Sequence, residues 1–217
     1  MYNYIIIQDS MENVIVTGFE PFGPYKYNPV QDAARELQDR VIGNKKVNSL
    51  VLPCTYKGAF ESLKELIEEV KPTAIISMGL SSGVGGIRIE STAHNVMNGK
   101  YLDANGESPK AETIVDDGDY FLKMNSDAHK IANILRGEGI GVEISADADS
   151  FVCNSLMYLT TFYINQYNKK IRNVFFHTPW TDNFKNDIGE LEGGKIRIPK
   201  DDLSGAVETI IKNIKEL

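Results

Sequence analysis

Apolar residues recur along this chain in two rhythms that take turns. The run Asn13-Val14-Ile15-Val16-Thr17-Gly18 is continuously apolar at its centre and closed by glycine, the pattern of a strand buried on both faces. After it, Asn28-Pro29 offers an N-cap and a proline at the first helical position, and Val30, Ala33, Ala34, Leu37 and Val41 repeat at helical spacing until Gly43. The alternation continues. Val47 to Leu52 predicts a strand, Phe60, Leu63, Ile67 and Val70 one helix face, and Ala74 to Met78 another buried strand after Pro72. Ala128, Ile131, Ala132 and Leu135, closed by Gly137, predict a helix, and Val142 to Ser145 a short strand. A helix from Phe151 to about Tyr167, a strand at Asn173 to Phe176 and a final helix carrying Leu203, Val207, Ile210 and Ile214 complete the series. Such alternation implies an α/β fold, a single domain with a mainly parallel twisted sheet and helices on both faces. Gly83 to Asp119 mixes β-branched and polar residues among glycines, and reads as a hairpin or long loops inserted near the active edge.

Composition narrows the picture. At 217 residues, with 42% hydrophobic and 24% charged, the chain suits one globular domain and neither a disordered nor a disulfide-built one. The net charge of −7 would repel phosphate backbones, so nucleic acid is not an expected partner. No apolar run approaches the roughly 20 residues that span a bilayer, so no membrane role is expected. Because the strand from Asn13 to Gly18 is already complete, Met11 can serve as the start of the domain at 11–217, with residues 1–10 as a possible N-terminal extension; Tyr4-Ile5-Ile6-Ile7 is too short for an export signal, and Gln8, Asp9 and Ser10 break it. A cytoplasmic location follows, in which the two cysteines, Cys54 and Cys153, stay reduced.

In parallel sheets the working site gathers at the carboxyl ends of the strands, and several of those ends carry candidate chemistry. Cys153 falls at the start of a predicted helix; if Asp149 or Ser150 caps it, unpaired N–H groups and the helix dipole favour a thiolate, and the alternative reading is a small buried hydrophobe. His177 closes an apolar strand, where it suits either a base or a satisfied core histidine. In Ile87-Arg88-Ile89-Glu90 alternation puts Arg88 and Glu90 on one face; by composition alone Glu90 is a solvated strand charge. His94 and His129 have weaker claims, and Cys54 looks structural. Gly79-Leu80-Ser81-Ser82-Gly83 matches the first half of a serine nucleophile elbow, but Val84-Gly85-Gly86-Ile87 does not continue as the helix an elbow requires. The spacing of cysteine, histidine and carboxylates supports no metal site.

Thr17-Gly18-Phe19-Glu20-Pro21-Phe22-Gly23 with Asn28-Pro29, the segment Gly79 to Asn95, Phe151-Val152-Cys153-Asn154 and Phe176-His177-Thr178-Pro179 together resemble the pyroglutamyl peptidase I (pyrrolidone carboxyl peptidase) family of cysteine peptidases, in order and in spacing. The resemblance runs from about Met11 to the last helix. It implies a cytosolic omega-peptidase that removes an N-terminal pyroglutamyl residue from peptides, with Cys153 as nucleophile, His177 as base and Glu90 as orienting carboxylate. It also implies a lactam pocket built by Phe19, Phe22, Phe151 and Val152, with Leu80 beside it, and a homotetramer. No cofactor is needed: His177 takes the thiol proton, Cys153 attacks the carbonyl, and water releases the acyl-enzyme. Backbone N–H groups at Cys153 would hold the oxyanion, with Lys100 as helper.

Five positions depart from the family pattern. Val84 and Ser91 stand where arginine is usual, Lys100 replaces another arginine, and Ala148-Asp149-Ser150 replaces Ala-Gly-Thr. Asp149 thus adds a carboxylate four residues from the thiol, which disfavours a thiolate. Two other readings remain at this point: a serine hydrolase using Ser81, and a catalytically weak or silent protein that keeps the pocket to bind a small cyclic lactam.

Overall fold

A computed structural model describes residues 11–99, 101–168, 170–184 and 197–217. The expected N-terminal extension at 1–10 and Lys100 lie outside the described residues. The chain begins with β1 (Glu12–Phe19), α1 (Pro29–Leu37), β2 (Val41–Ile42), β3 (Lys45–Leu52), α2 (Gly58–Val70) and β4 (Ala74–Leu80). It continues through β5 (Ile87–Glu90), β6 (Thr92–His94), β7 (Phe121–Lys123), α3 (Ala128–Gly137), β8 (Val142–Ser145) and α4 (Val152–Tyr167). It closes with β9 (Arg172–Thr178), β10 (Trp180–Thr181), β11 (Arg197–Ile198) and α5 (Lys200–Asn213).

Seven strands form the central sheet in the order β2-β3-β1-β4-β9-β5-β8. The four inner strands β3, β1, β4 and β9 run parallel, as the βα alternation predicts. Helices α1, α3 and α5 pack together on one face and α2 with α4 on the other. Covered on both sides, β4 is buried at every residue, which explains why it reads as an apolar run broken only by the small, buried Ser77.

Two local expectations change. The first helix stops at Leu37, and Val41 begins a short strand antiparallel to β3; Asp39, with φ of 61°, turns the chain before Val41 can continue the helical face. The segment from Gly83 to Asp119 is not simply an insertion either. Its first part, β5, is a buried strand of the main sheet, antiparallel to β9 and parallel to β8. Only the remainder is peripheral, with β6 pairing antiparallel to β7 outside the sheet. Glycines just before a four-residue strand obscure its role, since so short a run carries little periodic signal.

Close approach holds the first strand against its helix. A Cβ on Gly18 would collide with the Val30 carbonyl, so only glycine lets the end of β1 meet the first turn of α1. Asn28 caps that helix by accepting the Val30 N–H at 3.3 Å, as its position before Pro29 predicts.

Candidate active site

Strand register assembles the site. His177 on β9 pairs with Gly79 on β4 to one side and with Arg88 on β5 to the other, so all three share one face of the sheet. Glu90, two residues beyond Arg88, projects from the same face. Its Oε1 lies 2.7 Å from His177 Nδ1 and also accepts a hydrogen bond from Arg88 Nε at 2.7 Å. Glu90 is therefore not a solvated strand charge: its side chain is 0% exposed. Burial by itself would raise the Glu90 carboxyl, but the His177 hydrogen bond, with the charges of His177 and Arg88, holds it below the ordinary carboxylate value.

Glycine at position 79 makes room for the thiol. A Cβ there would stand 2.8 Å from His177 Cδ2, 2.9 Å from Cys153 Sγ and 3.0 Å from His177 Nε2. Thiol and imidazole thus converge over the one residue in that row without a side chain, with the second ring nitrogen, Nδ1, turned away towards Glu90. A thiol at one ring nitrogen and a carboxylate at the other are placed so that they can act as nucleophile, base and orienting group.

Cys153 comes to this point as the second residue of α4. The N-cap is Phe151, in extended backbone and without a side-chain cap, so neither Asp149 nor Ser150 caps the helix. Asp149 Oδ1 instead accepts the Ser150 N–H at 2.7 Å. An uncapped first turn leaves N–H groups without a side-chain partner beside Cys153, donors of the kind that can stabilise an oxyanion. The thiol itself differs from the thiolate expected of a helix start. Burial pushes the Cys153 thiol well above its ordinary value, Cys54, Glu90 and Asp149 push the same way, and Arg88 alone opposes them. The protonated thiol is the resting form that this environment favours.

A cavity of about 350 Å³ opens over the thiol. Phe22, Leu80 and Phe151 line it, together with Tyr25, Trp180 and Arg88. The rings form a continuous wall: Phe151 to Phe22 at 6.1 Å, Phe22 to Tyr25 at 5.7 Å, and Tyr25 to Trp180 at 5.1 Å between centroids. Phe19 and Val152, expected in that wall, are core residues exposed by 3% and 0% that stand behind it. Ser81 does line the cavity, but β5 follows it and no helix, so the serine elbow is not formed.

The remaining candidates have structural partners. Cys54 sits in the core with its thiol pushed up to about 12, by burial first and then by Asp103 and Glu20. His94 Nε2 meets the Ala146 carbonyl at 3.1 Å, and His129 lies in the first turn of α3, where Asp127 caps its N–H. Among the described residues no group of three or more His, Cys, Asp or Glu is placed to hold a metal ion. No helix among them is long and apolar enough to cross a membrane.

Sequence reasoning passed over three residues that hold this geometry. Arg88 shares the Glu90 carboxylate, and its place two residues away on the same face was the available signal. Gly79 leaves the space described above. Asn154, fully buried, accepts the His94 N–H at 2.8 Å and donates to the His94 and Val96 carbonyls at 2.8 and 2.9 Å, tying the start of α4 to β6. An amide in the first turn of an apolar helix must find backbone partners, which is the cue that position offers.

The chain is similar to known proteins over most of its length. The chain is 34% identical over 170 residues to pyrrolidone-carboxylate peptidase of Bacillus mycoides (strain KBAB4), covering 78% of this chain and 79% of the relative. It is 31% identical over 172 residues to the pyrrolidone-carboxylate peptidase of Yersinia pestis (strain Pestoides F), with the same coverage of 78% and 79%. The solved pyrrolidone carboxyl peptidase of Thermococcus litoralis superposes with a TM-score of 0.88 at 29% identity, covering 95% of this chain and 96% of that one. Pyroglutamyl peptidase I of Bacillus amyloliquefaciens superposes with a TM-score of 0.86 at 26% identity over 93% and 95% of the two chains. With a family model described as pyroglutamyl peptidase matching residues 12–215, the chain belongs to the pyroglutamyl peptidase I family of cysteine peptidases.

Proposed function

We propose that this protein hydrolyses the amide bond after an N-terminal pyroglutamyl residue, through Cys153, His177 and Glu90. The observation that carries the reading is the convergence of Cys153 Sγ and His177 Nε2 over Gly79 while His177 Nδ1 is held 2.7 Å from Glu90. With the thiol protonated at rest, attack and proton transfer are coupled: the Sγ–H proton passes to His177 Nε2 as Sγ bonds to the pyroglutamyl carbonyl carbon. The Glu90 carboxylate stabilises the imidazolium so formed, and the N–H groups of the first turn of α4 receive the developing oxyanion. Collapse of the tetrahedral adduct breaks the C–N bond, and the imidazolium returns its proton to the departing amine. Water then attacks the thioester with the neutral imidazole as base, releasing pyroglutamate and the thiol.

The ring wall suits the acyl group. Pyroglutamate is small, flat and uncharged, so contact with Phe22, Phe151 and Leu80 favours it, with Phe19 and Val152 backing the wall. Open-chain glutamate would bring an ammonium and a carboxylate against aromatic faces, at a desolvation cost of several kcal/mol. Lys100 is the proposed helper at the oxyanion. Homotetrameric assembly and a cytoplasmic location belong to the same reading, supported by the family resemblance, by the exposed apolar side chains of Leu102, Tyr120 and Phe121, and by two free thiols.

The test is turnover of chromogenic pyroglutamyl, prolyl and glutamyl amides by the wild type and by Cys153→Ser. Hydrolysis of the pyroglutamyl amide alone, lost in the variant, is the expected result. Equal hydrolysis of all three would remove the lactam pocket, and no turnover of any would favour a silent lactam-binding protein.

A further inference from the structure

Asp149 holds its place against its own backbone preference. Its φ is 65°, in the left-handed region that a non-glycine residue occupies at some cost. Local bonds fix it there: its N–H donates to Asp147 Oδ1 at 2.9 Å, its own Oδ1 accepts the Ser150 N–H at 2.7 Å, and the Ser150 carbonyl accepts the Asn98 N–H at 2.9 Å. The carboxylate is exposed and borders the cavity over Cys153.

Charge around the cavity is uneven. Of the described residues in its wall, only Arg88 and Asp149 carry a permanent charge at neutral pH. Arg88 is bridged to Glu90 at 2.7 Å, while among the described residues no cation stands within ion-pairing distance of Asp149. Among the described residues of the wall, Asp149 is therefore the one carboxylate, and none of them pairs with its charge; it stands close enough to the thiol to raise it. A pyroglutamyl ring has no charge for that carboxylate to sense. Any charge on the substrate belongs to the peptide that departs.

The geometry points to Asp149 as a specificity-determining residue that makes the leaving-group side of the site anionic, so that pyroglutamyl peptides with lysine or arginine as their second residue are preferred over those with an acidic one. This rests on the hydrolase reading above and names its substrate class. Attraction across a solvated cleft is modest and screened by salt, which sets both its size and its signature.

The experiment measures kcat/KM for amidated pyroglutamyl-lysyl, pyroglutamyl-alanyl and pyroglutamyl-glutamyl peptides at low and high salt. Amidation removes the terminal carboxylate that would blur the comparison. At low salt the wild type is expected to favour lysyl over glutamyl by roughly three- to tenfold, with alanyl between them. Asp149→Asn tolerates the left-handed backbone and keeps an oxygen for the Ser150 N–H, so it removes the charge alone; the ratio should fall below about twofold, as it should for wild type at high salt. Asp149→Gly, suited to the same backbone, should give the same collapse. Equal rates in the wild type, or a preference that survives both variants, would overturn the inference while leaving the hydrolase reading intact. Absence of turnover on all three peptides by the wild type would overturn both.

Discussion

Glu90 and His177, 87 residues apart in sequence, meet at 2.7 Å because β5 runs antiparallel beside β9 with Arg88 paired to His177. A strand that the sequence pattern assigns to an insertion thus delivers the carboxylate. Antiparallel pairing sets Glu90 diagonally across from the imidazole on the same face, and Arg88 takes the other approach to the same oxygen.

Replacing Glu90 by Gln should lower kcat by roughly two to four orders of magnitude with little change in KM, because the imidazole loses its tautomer control and its charged form loses a partner. Steady-state kinetics on a pyroglutamyl amide check this. Near-wild-type turnover would return Glu90 to a structural role.

Acid should weaken the fold through the same carboxyl. Its value in the folded state lies below the ordinary 4.5, so its stabilising contribution is complete above that pH and is lost as pH falls through the folded value. Urea midpoints at about pH 7 and about pH 3.5 should therefore drop further for the wild type than for Glu90→Gln. Equal drops would mean that Glu90 is not the linked group.

Alkylation should distinguish the two thiols. Cys153 is only partly buried and faces the cavity, whereas Cys54 lies in the core with its thiol pushed up to about 12. Iodoacetamide should label Cys153 first and abolish turnover in step, and the labelling rate should climb as pH rises above neutrality because the thiol is protonated at rest. Peptide mapping reads the order. Earlier labelling of Cys54, or activity that outlasts full labelling of Cys153, contradicts the assignment.

A methyl group at position 79 should inactivate without unfolding. Its Cβ would come within 3.0 Å of both His177 Nε2 and Cys153 Sγ, prising apart the two side chains that we propose react. Gly79→Ala is expected to lose roughly a hundredfold in kcat, the size of effect that a displacement of about 1 Å produces. Thermal melting beside the kinetics tells this wedge from general destabilisation, which would lower both together.

Much of this molecule is written locally. Val14 to Val16 and Val174 to Phe176 are continuous apolar runs and Ala74 to Met78 is interrupted only by Ser77; burial on both faces is what such runs require, so the parallel centre of the sheet follows from the chain alone. Helix α1 likewise follows from Asn28-Pro29 and the spacing of Val30, Ala33, Ala34 and Leu37. The identities of Cys153 and His177 as candidates also came from position, at the start of a helix and the end of a strand.

Pairing decided the rest. A four-residue strand such as β5 carries too little periodicity to show which neighbour it will join, so the fate of Glu90 depended on a register against β9 that no local pattern encodes. Phe19 and Val152 read as pocket aromatics and aliphatics by motif, yet their neighbours in three dimensions bury them behind Phe22 and Phe151. The state of the Cys153 thiol was equally out of reach. A helix start favours the thiolate, while burial and two carboxylates from distant and neighbouring segments oppose it, and only their distances in the folded chain determine which prevails.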